Sequence, residues 1–531
     1  MHIARHLLPF MVLLGAGSLR AQTIAPRPPA LAGRWGDQSN GTFVNPILPS
    51  DYSDLDAIRV GDDFYAISST FQYSPGVVIL HSKDLVNWTL LGHAVDDLTR
   101  IGPEMNWDQM NRYGRGIWAG AVRYHDGKFW IYFGTPDEGF FVTTAKDPAG
   151  PWEPLQLLWK TKGWDDCCPF WDDDGTPYFI CSNTADGYKI HLFQMAPDGK
   201  SLLLNTDKVI HQSKGSEANK LYKINGLYFH YYSENTREGR VAMMERSKSL
   251  DGPWETHQLN HVNKKIDQEP NQGGLIQLTD GTWWFLTHQG TGDWQGRAMC
   301  LLPVTWIYNW PIIGTPGPDK VGTMVWSAAK PIAGQPLTAP QTSDAFDKPT
   351  LSPQWEWNYQ PRADKWSLTE RPGFLRLHAF APLKPDDLLK AGNTLTQRVF
   401  RTNKNEVTVK LDLAGMADGQ QAGLCHLARA WAAFGISQSG STRTLTLNRA
   451  GKISQGPELA ATTLYLRTSW NLDGDSQFSF SIDGVTFTPF GPTIPLTWSY
   501  YRGDRLGLYS YNNKADAGYV DFASFTYTLT R

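Results

Sequence analysis

The sequence predicts an all-β protein in which a five-bladed β-propeller is followed by a β-sandwich. Three observations support this fold class. A motif of a turn and a strand recurs five times before residue 330, amphipathic helical patterns are scarce over the same stretch, and a second series of short strands follows it. With 531 residues, the chain is long enough for two or three packed domains.

Each repeat consists of a glycine-containing turn that leads into alternating aromatic and aliphatic residues. The turn glycines are Gly61, Gly127, Gly175, Gly226 and Gly281, which are separated by 66, 48, 51 and 55 residues. Turns of this kind supply the positive φ angles that tight hairpins require, and the spacing is typical of a propeller blade. A stack of unrelated β-hairpins is the alternative interpretation.

A second motif closes three of the repeats. It contains a short turn and ends at Trp88, Trp152 and Trp254, in the segments SKDLVNW, AKDPAGPW and SKSLDGPW. We expect this turn to close the outer hairpin of a blade, with its tryptophan packed between neighbouring sheets.

Changes in composition divide the chain into four parts. Residues 1–21 have the basic start, apolar centre and small residues of a secretory signal peptide. Residues 40–329 contain the repeats, and residues 330–343 (KPIAGQPLTAPQTS) have the composition of a linker. Residues 344–531 contain short runs such as GFLRLHAF and NEVTVKLDL, which predict the sandwich.

Composition excludes several classes of partner. The net charge is −3 and the basic residues are scattered, so neither nucleic acid nor a membrane surface is an expected partner. Cleavage of the signal peptide near Ala21 predicts a secreted or periplasmic protein. The five cysteines form no CxxC pattern, which argues against zinc. The 22 Trp, 21 Tyr and 24 Phe residues suit sugar stacking and β-sheet cores alike.

The register of the repeat places polar residues at one end of the propeller channel, because the first strand of each blade lines that channel. Counting back nine residues from the last four turn glycines gives Trp118, Asp166, Glu217 and Gln272, and counting back seven from the first gives Asp54. We expect the three carboxylates to converge on one channel mouth, with the aromatic and amide side chains beside them as substrate contacts. A single aspartate before a turn would instead be interpreted as a turn or capping residue.

Three clustered carboxylates suit hydrolysis of a glycosidic bond with inversion of configuration. One carboxyl group protonates the leaving oxygen, and a second, roughly 6.5–9.5 Å away, activates water on the opposite face of the sugar. A third carboxylate nearby raises the pKa of the acid through repulsion between like charges, which keeps the acid protonated at working pH.

Three segments resemble glycoside hydrolase family 43. The stretch NPILPSDYSDLDAIRVGDDFYAISSTFQYSPGVVILHSKDLVNW is similar to the opening of family members, which are five-bladed propellers that act as β-xylosidases, α-L-arabinofuranosidases and related arabinanases. The resemblance implies that Asp54 is the general base. It also implies that Asp166 in GWDDCCPFWDDDGTPYF modulates the acid's pKa and orients the sugar, with Asp165 as the alternative, and that Glu217 in GSEANKLYKINGLYF is the general acid.

Further site residues follow from the same resemblance. Family members place an arginine of the fifth blade against the sugar and the base, which implies this role for Arg297; the alternative is a surface salt bridge. Many also hold a metal, usually calcium, near the propeller axis, which points to His288, although a single histidine is often structural. Phe71, Tyr73 and Trp118 are predicted walls of a pocket for the terminal sugar, with core packing as the alternative.

The sequence departs from the family pattern at several positions. Leu55 and Cys167 replace the prolines that follow the base and the modulating carboxylate, Gly120 replaces the proline of a Trp-Ala-Pro triplet, and Ala218 and Asn219 replace a Gly-Pro after the acid. None of these changes removes a proton-transfer group. They reshape the strand entrances, which leaves the linkage specificity open.

The region after the linker resembles the C-terminal β-sandwich of xylosidase-type family members, a jelly-roll of concanavalin-like form. The segment DAFDKPTLSPQWEWNYQPRADKWSLTERPGFLRLHA carries this resemblance. We expect its aromatic stretch from Trp355 to Trp366 either to reach the propeller and narrow the substrate cleft or to fill the core of the sandwich.

The predicted function is exo-acting, inverting hydrolysis that releases terminal xylose or arabinose from arabinoxylan or its oligosaccharides in the plant cell wall. Two alternatives stay open: a carbohydrate-binding propeller without catalysis, and a hydrolase of the same family that acts on arabinan or galactan. A fructan hydrolase is excluded, because its Trp-x-Asn-Asp-Pro and Arg-Asp-Pro segments are absent. No cofactor is expected for the chemistry itself, and calcium is expected at most as a structural ion.

Overall fold

A computed structural model of the protein describes residues 35–262, 272–290 and 293–530. Over these ranges the regular elements are β-strands and four single turns of 3-10 helix, at Leu98–Arg100, Pro103–Met105, Ala363–Lys365 and Leu388–Lys390. The all-β prediction is confirmed. None of the described helices has the length and apolar content of a membrane span. The predicted signal peptide, residues 1–21, lies outside the described residues.

The strands follow one another at short intervals along the whole described chain. In the first part they are β1 (Thr42–Val44), β2 (Leu48–Asp51), β3 (Asp56–Val60), β4 (Asp63–Ser68), β5 (Tyr73–Ser74), β6 (Gly76–Ser82), β7 (Trp88–Val95), β8 (Gly120–His125), β9 (Lys128–Thr135), β10 (Gly139–Ala145), β11 (Gln156–Lys160), β12 (Trp164–Trp171), β13 (Pro177–Asn183), β14 (Lys189–Met195), β15 (Leu202–Gln212), β16 (Glu217–Ile224), β17 (Leu227–Asn235), β18 (Arg240–Ser247), β19 (Glu255–Gln258), β20 (Gly273–Gln277), β21 (Trp283–Gln289), β22 (Ala298–Ile307), β23 (Trp310–Ile313), β24 (Thr315–Pro316), β25 (Gly322–Thr323) and β26 (Ser327–Ala329). In the second part they are β27 (Glu356–Asn358), β28 (Trp366–Ser367), β29 (Leu375–His378), β30 (Leu395–Arg398), β31 (Asn405–Asp412), β32 (Gln420–His426), β33 (Ala432–Ser439), β34 (Thr442–Arg449), β35 (Lys452–Glu458), β36 (Thr463–Trp470), β37 (Asp475–Ser481), β38 (Thr488–Pro489), β39 (Ile494–Pro495), β40 (Arg505–Asn512) and β41 (Tyr519–Leu529).

The first part forms a propeller of five antiparallel blades. Blades 1 to 4 have the strand orders β3-β4-β6-β7, β8-β9-β10-β11, β12-β13-β14-β15 and β16-β17-β18-β19. Blade 5 has the order β20-β21-β22-β2, and β23 also pairs with β22. The first strands of adjacent blades contact one another, as β3 does with β8 and β20, and β12 with β8 and β16. These strands therefore line the propeller axis, as the repeat predicts.

The five turn glycines lie between the first and second strands of the blades. All five have positive φ angles, between 63° and 85°. A Cβ atom at any of them would meet open space, so the backbone angle rather than close packing requires glycine there. The predicted hairpin turns are confirmed.

The ring is closed by a strand from the start of the propeller. Strand β2 forms the outer edge of blade 5, where Leu48 pairs with Met299 and Asp51 pairs with Ala298 across an irregularity in register. The chain then crosses to β3, the inner strand of blade 1, within residues 52–55. Asp54 lies in this short crossing.

The second part is a sandwich of two antiparallel sheets. One sheet has the order β35-β34-β33-β32-β40-β30-β27-β5, and the other has the order β28-β29-β41-β31-β36-β37-β38, with β39 paired to β37. Buried and partly exposed residues alternate along β31 and β36, because one face of each strand covers the core. Residues 330–343, between the two parts, contain no strand.

The two parts share a core. Strand β5 of the propeller is the edge strand of a sandwich sheet through its pairing with β27, and Ser50 forms a bridge with Phe400. A continuous apolar cluster includes Leu48 and Tyr52 of the propeller together with Phe400 and Leu424 of the sandwich. The domain interface is therefore an extension of the hydrophobic core.

The aromatic stretch from Trp355 to Trp366 packs in the sandwich core and also reaches the propeller, but none of its residues lines the cavity at the propeller axis. Trp355 is buried against Phe346 and Phe525 in the sandwich core. Trp357 pairs with Ser74 of the propeller. The stretch therefore reaches the propeller as a strand of the shared sheet.

A chain truncated after Ala329 tests how far the propeller depends on the sandwich. We expect it to be insoluble, or to melt at a markedly lower temperature than the full chain, because it exposes apolar residues that the sandwich covers. Thermal melting and size-exclusion chromatography of both chains are the measurements. A soluble truncated chain that melts like the full chain and keeps its rate on short substrates would contradict the shared core.

Candidate active site

A cavity of about 300 Å³ lies at the end of the propeller where the innermost strands begin. All five blades and the sandwich contribute to its lining, which consists of Asp54, Phe71, Trp118, Ala119, Asp165, Asp166, Thr184, Tyr188, Glu217, Arg240, Gln272, His288, Arg297 and Tyr501. Every site residue that the sequence predicts, except Tyr73, lies in this lining.

Asp54 is held by three neighbours. Its Oδ1 accepts a hydrogen bond from Nη1 of Arg297 at 2.8 Å, and its Oδ2 accepts one from Oγ of Ser69 at 2.6 Å. Its backbone N–H donates to Nδ1 of His288 at 2.8 Å. Because Nδ1 accepts, this histidine is neutral with its proton on Nε2. The carboxylate of Asp54 is thus fixed in one orientation at the cavity wall.

The carboxylates lie on irregular backbone. Asp54 and Asp166 have φ angles of 55° and 49°, which few residues other than glycine adopt. The β12–β13 register shifts between Asp165 and Cys168, and the β16–β17 register shifts after Glu217. Such bulges redirect side chains at the ends of strands. They turn these carboxylates into the cavity.

Asp166 of blade 3 is hydrogen-bonded to residues of blades 4 and 5. Its Oδ2 accepts hydrogen bonds from the backbone N–H of Ala218 and from Nε2 of Gln272, the latter at 2.7 Å. Ala218 directly follows Glu217 in the chain. Asp166 therefore holds in place the backbone that carries the predicted acid.

Asn219, one of the departures from the family pattern, has a structural function. Its Nδ2 donates to the backbone oxygen of Asp166 and to Oγ of Ser182, both at 2.8 Å. Its Oδ1 lies 3.0 Å from Nε2 of His230, whose Nδ1 lies 2.7 Å from Glu245. The side chain thus joins blades 3 and 4 beneath the cavity.

Glu217 is the most accessible of the three predicted catalytic carboxylates. Its side chain is 26% exposed, against 9% for Asp54, and Asp166 is buried. Its Oε1 lies 2.9 Å from Nη1 of Arg240, which also donates to the backbone oxygen of Gly215 at 2.8 Å. Arg240 therefore holds Glu217 in an ion pair at the cavity wall.

Acidic groups outnumber basic groups in the cavity, whose lining contains four carboxyl groups and two arginines. Burial and the nearby charge of Asp54 raise the pKa of Asp166, against the opposing effect of Lys220. Burial and the charge of Asp166 raise the pKa of Asp165 well above its usual range. The cluster therefore retains protons at pH values where an isolated aspartate is ionised.

Aromatic rings form part of the cavity wall. Trp118 and Tyr501 meet edge to face with their ring centroids 6.1 Å apart, and Phe71 lines the same cavity. The placement of Tyr73 as a pocket wall is corrected: it is buried in the domain interface, where the guanidinium groups of Arg505 and Arg502 lie 3.7 and 4.7 Å from its ring centroid. Its position in the edge strand β5 turns the ring toward the sandwich.

The described residues around His288 do not by themselves supply a side-chain metal site. Calcium takes six to eight oxygen ligands. Within the described ranges, no group of three or more His, Cys, Asp or Glu side chains could hold a metal ion, and Nδ1 of His288 accepts from Asp54. The calcium site stays a prediction that rests on the family resemblance, and the mechanism below uses no metal.

Sequence reasoning missed several lining residues. Tyr501 comes from the sandwich, Arg240 from the third strand of blade 4, and Thr184 and Tyr188 from the connection between β13 and β14. The repeat register locates only residues at or near the start of the innermost strands. None of these four occupies that position, so the register carried no signal for them.

A propeller cavity in which carboxyl groups from different blades converge contains the groups that hydrolysis of a glycosidic bond requires. The chain belongs to glycosyl hydrolases family 43, whose profile matches residues 43–311. The profile of a β-xylosidase C-terminal concanavalin A-like domain matches residues 343–528. The protein is therefore a glycosidase, and its substrate is an oligosaccharide or polysaccharide.

Relatives and solved structures agree with this family. A β-xylosidase of Formosa agariphila is 38% identical over 94% of this chain and 92% of its own length. A non-reducing end α-L-arabinofuranosidase of Bacteroides ovatus is 35% identical over 64% of this chain and 65% of its own. The solved structure of a family 43 protein from the xyloglucan locus of Bacteroides ovatus is similar with a TM-score of 0.78 at 27% identity, covering 92% of this chain and all of that one.

Replacing Asp165 with asparagine should stabilise the fold at neutral pH. The pKa of Asp165 is raised in the folded state, and its Oδ1 is buried with no hydrogen-bond partner among the described residues. The unfolded chain therefore loses this proton at a lower pH than the folded protein does. The free energy of unfolding falls as the pH rises above the ordinary pKa of an aspartate, and asparagine, which does not ionise, removes that loss.

We expect Asp165→Asn to raise Tm by about 1–3 °C at pH 7 and to change it little near pH 3.5. Melting curves across this pH range are the measurement. Asp173→Asn, at an exposed position of the same blade, is the control and should show no such gain. A gain for Asp165→Asn that is independent of pH would exclude ionisation as its cause.

Proposed function

We propose that this glycosidase is an exo-acting β-xylosidase that releases terminal xylose from xylo-oligosaccharides and arabinoxylan with inversion of configuration. The observation that carries the proposal is that Asp54 and Glu217, from blades 1 and 4, line one cavity of about 300 Å³. This volume is at the small end of the range for ligand pockets. It suits one terminal sugar better than the middle of a chain.

In the proposed reaction, Glu217 donates a proton to the glycosidic oxygen while Asp54 accepts a proton from the attacking water. Both oxygens of Asp54 already accept hydrogen bonds, from Arg297 and Ser69. A carboxylate oxygen has a further lone pair, so Asp54 can also accept from a water molecule. The arginine keeps the carboxylate oriented as the proton is transferred.

Asp166 and Arg240 act on Glu217 from two sides. The negative charge of Asp166 favours the protonated form of Glu217. Asp166 also accepts a hydrogen bond from the backbone N–H of Ala218, which holds the backbone next to Glu217 in place. Arg240 pairs with Glu217 and favours its carboxylate. In the proposed cycle, the leaving-group oxygen of the bound substrate takes the place of Arg240. Glu217 takes up a proton from solvent and passes it to that oxygen, and Asp54 returns the proton that it accepts from water to solvent after the products leave.

The wall that the sandwich adds to the cavity supports exo action. Tyr501 of the sandwich and Trp118 of blade 2 meet at its wall. A polysaccharide running through the site would need an opening on both sides of the reacting sugar. The proposed orientation has the terminal sugar inside the cavity and the remaining chain outside.

The choice of xylose as the sugar rests on the Formosa agariphila β-xylosidase, whose similarity extends over 94% of this chain. The similarity to an α-L-arabinofuranosidase makes arabinose release the second candidate. Comparing kcat/KM for nitrophenyl β-xyloside and nitrophenyl α-arabinofuranoside tests the assignment. A higher value for the arabinofuranoside would reverse it, and no hydrolysis of either would favour a family member acting on arabinan or galactan.

Export of the protein is part of the proposal, on the basis of the signal-peptide pattern in residues 1–21. The five cysteines are buried free thiols, so the fold does not require disulfide formation. The N-terminal sequence of the mature protein, recovered outside the cytoplasm, is the direct check.

Glu217→Gln tests the general acid. Glutamine cannot donate the catalytic proton, so we expect kcat on xylobiose to fall by about 100- to 10,000-fold. Substrates with very acidic leaving groups need little protonation and should lose much less. The ratio of the two losses is the measurement, and equal losses would remove Glu217 from this role.

Asp54→Asn tests the base and the stereochemistry. We expect kcat to fall by at least about 100-fold on every substrate, whatever its leaving group. Azide, a small anion that fits the water site, should restore part of the activity and yield the inverted glycosyl azide. NMR of the first product released by the unaltered enzyme should show the opposite anomer; retention would overturn the inverting mechanism.

A further inference from the structure

A turn of the sandwich enters the side of the active site. Ser499 and Arg502 form a tight bridge, and the residues between them, Tyr500 and Tyr501, have φ angles of 48° and 66°. Two successive positive φ angles suit glycine or asparagine and disfavour tyrosine. With this unfavourable backbone, the turn places Tyr501 in the cavity lining.

The turn is bonded to the segment that carries Arg297, the partner of the proposed base. The backbone N–H of Asp504 donates to the backbone oxygen of Trp294 at 2.7 Å. A Cβ on Gly503 would lie 2.4 Å from the backbone nitrogen of Gly296, so the two backbones are in direct contact. Gly296 precedes Arg297, the partner of Asp54.

Asp51 lies between the turn and the catalytic residues, and it is buried. Its Oδ1 accepts from the backbone N–H of Arg297 at 3.1 Å and from Oγ of Ser53 at 3.0 Å. Its Oδ2 lies 3.4 Å from Nη2 of Arg502 and accepts from the backbone N–H of Gly503 at 3.4 Å. One oxygen of Asp51 thus faces Arg297 and the crossing that carries its partner Asp54, and the other oxygen faces the sandwich.

The buried charge of Arg502 depends on the contact with Asp51. Its guanidinium lies 4.5 Å from the ring centroid of Phe71 and 4.7 Å from that of Tyr73. Its Nε and Nη1 are buried without hydrogen-bond partners in the part of the chain that the structure describes. Burial lowers its pKa to about 10, so it is still charged at neutral pH. Asp51 supplies the opposite charge.

We propose that Asp51 is a positioning residue for catalysis. Through Asp51, the sandwich residues Arg502 and Gly503 set the orientation of Arg297 and Asp54. This inference rests on the proposed function, because it assigns Asp51 to the base side of that reaction. The contact has no role in proton donation to the leaving group. Its loss should therefore resemble a defect in the base, and not a defect in the acid.

The test uses Asp51→Ala, Arg502→Met and the double variant in the full chain. Each single variant leaves a buried charge without its partner and should lower Tm, whereas the double variant removes both charges and should regain much of that loss. A purely structural ion pair predicts that activity recovers with Tm. We expect instead that kcat of the double variant stays at least about tenfold below that of the unaltered enzyme, because the group that orients Arg297 is missing.

Two further measurements separate the explanations. The loss of kcat should be the same for xylobiose and for an activated aryl xyloside, as for a base. Lys390→Met is the control, because Lys390 also joins the sandwich to the propeller, through the backbone oxygen of Met110 at 2.7 Å, without contact to the cavity lining. It should leave kcat unchanged.

A double variant with the kcat of the unaltered enzyme would overturn the inference, as would a loss confined to substrates with poor leaving groups. Both results presuppose that the unaltered enzyme hydrolyses xylosides. If it does not, the proposed function fails, and that failure is visible before any variant is made.

Discussion

The closure of the propeller ring is the constraint on which the active site depends. Strand β2 must pair with β22 to complete blade 5, and the chain must then reach the axis within residues 52–55 to begin blade 1. Asp54 lies in that crossing, beside Arg297 at the start of β22. Ring closure therefore brings together Asp54, the proposed base, and Arg297, which are 243 residues apart in the chain.

The site concentrates like charges where the backbone is least regular. The bulged entrances of β12 and β16 direct Asp165, Asp166 and Glu217 toward one another, and burial raises the pKa of both aspartates. Such an arrangement is unfavourable for folding, and the surrounding sheets hold it in place. The same repulsion and burial shift the pKa values of carboxyl groups toward neutral pH, where an acid and a base transfer protons most readily.

The cavity belongs to both domains. The propeller supplies the carboxylates, while the sandwich supplies Tyr501 and, through Arg502 and Gly503, a contact to Asp51. The two parts also share a sheet and an apolar core. The sandwich therefore forms part of the cavity wall and contacts Asp51, next to the crossing that carries Asp54.

Local pattern was sufficient to predict the blades and to place the three carboxylates, because the five turn glycines repeat at blade spacing and the positions at the start of each first strand follow from their register. The tertiary structure decided the rest. The fold places Tyr73 against the sandwich and brings Tyr501, Arg240 and Asp51 to the site through contacts between distant segments. Such contacts depend on how sheets pack against each other, and packing between distant segments leaves no periodicity in the sequence from which it could be predicted.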